Sequence, residues 1–140
     1  MTDFVVDSSV TMAWAFDDED DDYANQVLGS LETTAALASP VWPLEVANVL
    51  VVAERKGRIG IADSQRFIRL LEALPIEVHP VSVGECLQAV LDAARRHGLS
   101  AYDASYLQLA MDRSLPLATN DLPLRRAAEA AGVSIWSPEG

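Results

Sequence analysis

Asp7 directly follows the apolar run Phe4-Val5-Val6, and Asp121 follows Leu117-Ala118-Thr119-Asn120. Asp103 lies in Ser100-Ala101-Tyr102-Asp103-Ala104-Ser105-Tyr106, where the pattern opens a helix. Between Val41 and Ala53 the only polar side chains are Glu45 and Asn48, three apart and so on one helical face. A helix otherwise apolar all round is expected to be buried, and a carboxylate within it needs a partner. Each acid also has a purely structural use. Asp7 and Asp121 fit helix N-caps, and Ser100 with Asp103 fits a capping box. Glu45 could be half of a buried ion pair with an arginine.

Taken together, the four acids suggest different chemistry. In an open parallel sheet, ligands bind beyond the carboxyl ends of the strands, where Asp7 and Asp121 are expected. Two carboxylates about 4 Å apart repel by roughly 4 kcal/mol at an effective dielectric near 20. A cluster of four must therefore share protons or bind a cation. Oxygen ligands without clustered His or Cys select Mg²⁺ or Mn²⁺ over zinc. Hard cations held by carboxylates serve phosphodiester hydrolysis without a covalent nucleophile.

The elements that must position these acids alternate along the chain. Phe4–Val6, Ala35–Ala38, Ile76–Val81, Leu115–Ala118 and Val133–Trp136 read as strands. Ala24, Val27, Leu28 and Leu31 sit at helical spacing, as do Phe67, Leu70, Leu71 and Leu74, and again Leu87, Val90, Leu91 and Ala94. Pro40 and Pro43 open the Glu45 segment and Gly57 and Gly60 close it, while Gly98 and Gly132 end two further helices. This alternation predicts an α/β fold, a three-layer α/β/α sandwich on a mostly parallel sheet. With 140 residues, half of them apolar, the chain is expected to be a single domain over 1–140.

The net charge of −11 is unusual for a protein that handles a polyanion, and points to a basic partner or bound cations. Six of the 21 acids form one run, Asp17-Asp18-Glu19-Asp20-Asp21-Asp22, expected to be a solvated loop. It lacks the glycine and terminal glutamate of a calcium loop. Arg55, Lys56 and Arg58, Arg95 with Arg96, and Arg125 with Arg126 leave room for local basic surface. No apolar run is long enough to span a membrane. The N-terminus lacks a secretion signal, and the single Cys86 fits a reducing cytoplasm, so a cytoplasmic location is expected. His79 and His97 share no metal-ligand spacing. Trp14, Trp42 and Trp136 could stack bases, but such residues more often fill cores.

Four segments in this order, Phe4-Val5-Val6-Asp7-Ser8-Ser9-Val10, Pro43-Leu44-Glu45-Val46-Ala47-Asn48-Val49-Leu50, Ala101-Tyr102-Asp103-Ala104-Ser105-Tyr106 and Leu117-Ala118-Thr119-Asn120-Asp121, resemble the acidic motifs of PIN-domain nucleases. The likeness is to VapC-type toxins of bacterial toxin–antitoxin pairs in particular. It implies a Mg²⁺- or Mn²⁺-dependent endoribonuclease acting on RNA, a homodimer, and a small VapB-type antitoxin as partner. It matches Asp7, Glu45, Asp103 and Asp121 to the family's metal-binding and catalytic acids. Ser9 and Thr119 match its small hydroxyl positions, and Asn48 its polar position after the glutamate. The acidic run departs from the pattern. Two other readings compete: a phospho-signalling receiver or phosphatase-like α/β domain, and a non-catalytic binding module. A phosphoacceptor needs a positive partner, and the only lysine, Lys56, falls far from any predicted strand end.

Overall fold

The computed structural model describes residues 2–16 and 21–139. Strands β1 (Phe4–Val6), β2 (Ala36–Ala38), β3 (Ile76–Val78) and β4 (Leu117–Ala118) form a parallel sheet in the order β3-β2-β1-β4. β1 pairs with β2 through Phe4 and Ala36, and with β4 through Val5 and Leu117. β2 pairs with β3 from Ala36 and Ile76 to Ala38 and Val78. β1, β2 and β4 are buried throughout, because helices cover both faces of the sheet and leave no polar side to alternate with.

The strand order places the site. The chain steps outward from β1 to β2 to β3, then returns to lay β4 on the other side of β1. Adjacent strands β1 and β4 therefore flank the point where the winding reverses, and in open α/β sheets ligands bind beyond the carboxyl ends of such strands. Asp7 follows β1 and Asp121 lies three residues beyond β4. Around the sheet lie α1 (Ser8–Ala13), α2 (Asp22–Ser30), α3 (Trp42–Arg55) and α4 (Ile61–Ala73). A helical stretch follows β3, made of α5 (Val83–Glu85), a π-helical turn (Cys86–Val90) and α6 (Leu91–His97). Helices α7 (Ala101–Arg113) and α8 (Leu122–Ala130) flank β4 in sequence.

Several expectations change. β3 stops at Val78, because Pro80 has no N–H to continue a ladder. Leu115-Pro116 stays outside β4, and Val133–Trp136 contributes a single parallel bridge between Ile135 and Leu117. The π turn shifts the helical phase, so Val90 and Ala93 are buried while Leu87 is 63% exposed and Leu91 is also exposed. α3 is not buried all round. Trp42, Val46, Leu50 and Ala53 face the core, but Leu44 is 72% exposed and Ala47, Asn48 and Val52 are exposed as well. One apolar stripe is enough to dock a helix, and apolar residues beyond it can remain on the surface. Among the described residues no helix is long and apolar enough to cross a membrane.

The tryptophans are structural. Trp136 packs on Phe4 and Tyr23, and Trp14 Nε1 donates to the Ala24 carbonyl at 2.8 Å. Trp42 is buried, and its Nε1 donates at 2.9 Å to Oγ1 of the fully buried Thr11. That hydroxyl donates in turn to the Asp7 carbonyl at 3.0 Å, so one side chain joins α3 to the end of β1. Thr11→Val strands the buried indole N–H. We expect a loss of about 1–3 kcal/mol in urea unfolding, largely restored by Thr11→Ser. A Thr11→Val protein as stable as wild type would show that the bridge contributes nothing.

Candidate active site

Asp7 caps α1 and is 3% exposed. Its Oδ1 accepts from Ser9 Oγ at 2.7 Å and from the Val10 N–H at 3.2 Å, and its Oδ2 accepts from Thr119 Oγ1 at 2.6 Å. Burial pushes its pKa from 3.8 up to about 6. The hydrogen bonds from Thr119, Ser9 and Val10 pull the other way, and nearby Asp103 adds to the rise. Thr119 is fully buried at the end of β4, and its Oγ1 also accepts from the Asp121 N–H at 3.0 Å. Ser9 Oγ accepts from the Asn120 N–H at 2.9 Å. Two short hydroxyl side chains thus stitch the turn after β1 to the turn after β4.

Asp121 caps α8, its Oδ2 accepting from the Leu124 N–H at 3.0 Å. Asp103 stands in the first turn of α7, with Ser100 Oγ accepting from its N–H at 3.1 Å. The capping roles expected for Asp7 and Asp121 are therefore real, and each takes only one carboxylate oxygen. Half-buried Glu45 has no arginine partner among the described residues. Its Oε1 accepts from the Tyr106 hydroxyl at 2.5 Å.

Asp103 links the acids electrically. Burial raises its pKa first, and then the charges of Asp121 and Glu45, while its own charge raises Asp7. Among the described residues, no three His, Cys, Asp or Glu side chains close up to metal-ligand distance. Coulombic coupling through Asp103 shows that the carboxylates sense one another. Their all-oxygen donor set is of the kind that hard cations such as Mg²⁺ take.

Of the residues expected to support the acids, Ser9 and Thr119 hold Asp7. Asn48 stands apart, in a groove with Phe16, Lys56 and Arg58, and makes no hydrogen bond among the described residues. Sequence reasoning gave no role to Tyr106, although its position three after Asp103 puts both on one helical face. Nor did it single out Asp21. Residues Asp17–Asp20 of the acidic run lie outside the described residues, but Asp21 caps α2 and Asp22 begins it. Asp21 Oδ1 accepts from the Ala24 N–H at 2.9 Å and Oδ2 from Asn120 Nδ2 at 2.6 Å, tying the end of the run to the turn before Asp121.

By sequence, residues 4–130 match the family described as PIN domain. No curated protein matches the chain. Among solved structures it is similar to PAE2754 from Pyrobaculum aerophilum, with 27% identity, 90% of this chain and 86% of that one covered, and a TM-score of 0.68. It is also similar to FitAcB from Neisseria gonorrhoeae (21% identity, 97% and 98% covered, TM-score 0.56). FitAB bound to an IR36 DNA fragment is a third (21% identity, 98% and 96% covered, TM-score 0.60). The two structures at 21% identity bear on the fold alone.

The raised pKa of Asp7 gives a signed pH dependence. The folded state holds this proton more tightly than the unfolded state, so the stabilisation is complete below about pH 4 and is lost as pH rises through about 6. At about 1.4 kcal/mol per pKa unit, Asp7 alone costs the metal-free protein roughly 3 kcal/mol at neutral pH. Asp7→Asn should flatten the stability profile between pH 4 and 7 and raise stability at pH 7.5. Urea melts in EDTA across that range measure both effects. An unchanged pH slope in Asp7→Asn would place the titrating group elsewhere.

Proposed function

The chain belongs to the PIN-domain family, and on that premise we propose that it is a metal-dependent endoribonuclease that hydrolyses RNA phosphodiester bonds at Asp7, Glu45, Asp103 and Asp121. The observation that supports this best is the meeting of four acids, coupled through Asp103 and with Asp7 and Asp103 both raised by burial, at the reversal point of a parallel sheet. When bound, Mg²⁺ or Mn²⁺ would polarise the phosphodiester and acidify the attacking water. The four carboxylates would hold that ion. Thr119 and Ser9 fix the orientation of Asp7, and Tyr106 fixes Glu45 through Oε1. Oε2 of Glu45 has no donor among the described residues and is left to face ion or water. A receiver-type phosphoacceptor is poorly served, since Lys56 caps the far end of α3, about 16 Å along the helix from Glu45.

This reading extends to the chain as the VapC-like toxin of a toxin–antitoxin pair, a cytoplasmic homodimer held in check by a small antitoxin. Wild-type protein should cleave mixed cellular RNA with Mg²⁺ or Mn²⁺ and stop in excess EDTA. Asp7→Asn and Glu45→Gln should abolish cleavage without unfolding the chain. Thr119→Val removes a support of Asp7 rather than a ligand, so a loss of about 10–100-fold is expected. Undiminished cleavage in EDTA or by Asp7→Asn would refute the assignment.

A net charge of −11 favours a basic inhibitor. An antitoxin arginine placed among the four acids would pair with carboxylates bidentately and compete with the cation. Inhibition should weaken as Mg²⁺ rises, and affinity should fall as monovalent salt rises. Co-purification from the native cell followed by cleavage assays checks this. Inhibition indifferent to Mg²⁺ would place the inhibitor away from the acids.

A further inference from the structure

An RNA strand approaching this protein meets a molecule of its own sign, so the placement of each cation matters. Arg66 pairs with Asp63 and Arg96 with Asp92 on their own helices. Arg125 is held differently. It lies in the first turn of α8, with its N–H donating to the Asp121 carbonyl at 2.9 Å. Its Nε donates to the Thr119 carbonyl at 2.7 Å, and its guanidinium carbon lies 4.7 Å from the Tyr23 ring centroid. Tyr23 is fixed in turn, its hydroxyl donating to the Trp136 carbonyl at 2.9 Å. Among the described residues Arg125 forms no ion pair. Both oxygens of Asp21 are already engaged, by Ala24 and Asn120.

The result is a half-buried guanidinium, oriented by a carbonyl and an aromatic face, with no ion-pair partner among the described residues. It is anchored on Thr119, whose hydroxyl donates to Asp7. Thr119 thus links the backbone that holds Arg125 to the carboxylate of Asp7. Guanidinium groups bind phosphate oxygens through paired N–H donors, and prior orientation reduces what is lost on binding. We propose that Arg125 binds an RNA phosphate flanking the scissile one and so adds affinity for the strand beside the four acids. This rests on the ribonuclease reading above.

The test uses the full chain and a short fluorescein-labelled single-stranded RNA of mixed sequence. Binding is measured by anisotropy in the Asp7→Asn background, with and without Arg125→Met or Arg125→Lys. Arg125→Met should weaken binding about tenfold and flatten the dependence of log Kd on log salt by about 0.7. Arg125→Lys keeps the charge and should keep the slope, with intermediate affinity. In otherwise wild-type protein, Arg125→Met should raise KM and leave kcat nearly unchanged. If both variants lower Tm alike while the salt slope and KM stay at wild-type values, Arg125 is only a tether and the proposal fails. If wild-type protein cleaves RNA and Arg125→Met matches it, the assignment of Arg125 falls and the nuclease reading stands. If wild-type protein neither binds nor cuts RNA, both fall.

Discussion

The hydrogen bond from Thr119 to Asp7 crosses the point where the sheet reverses its winding, and the organisation of the site depends on it. A carboxylate removed from water is costly to ionise, and the three donors converging on Asp7 recover only part of that cost. Those donors come from the turns after two neighbouring strands that are far apart in sequence. The same Thr119 hydroxyl receives the N–H of Asp121, so the placement of one acid is tied to the placement of another. Packing of β1 against β4 therefore sets the geometry of the carboxylates as well as the stability of the core.

Charge follows the same logic. Among the described residues, none of the four site acids forms an ion pair with a cation. Glu45 is paired with a phenol, Asp7 with hydroxyls, and Asp121 with a helix end. Each arrangement holds an oxygen in place without spending its charge. What remains is a cluster of charged oxygens, with an oriented guanidinium held on the carbonyl of Thr119. A binding site for a cation and a polyanion together requires both features.

Much of this was legible in the sequence. The short apolar runs at Phe4–Val6 and Leu117–Ala118, each leading to an acid, located both the sheet and the site, because a covered parallel strand leaves little but apolar residues. Glu45 stood out as the lone charge in an apolar stretch. What stayed hidden depended on contacts between distant segments. Tyr106 as the partner of Glu45 joins residues 61 apart, and Asp21 as the partner of Asn120 joins residues 99 apart. No local pattern encodes such pairs. The π turn escaped because it changes helical phase without any change in composition. The exposed face of α3 is not legible because apolar content alone does not say which face of a helix is enclosed.

The outer edge of the sheet bears on how the molecule keeps company. β3 is only three residues long, lies between Pro75 and Pro80, and carries exposed Glu77 at its centre. Open strand edges are templates for further strands, and short length, prolines and charge are ways to spoil the template. An extended chain approaching this edge would find few free backbone groups and a repelling charge. Growth of the sheet from molecule to molecule is thereby discouraged, and any lasting association is left to the helical faces.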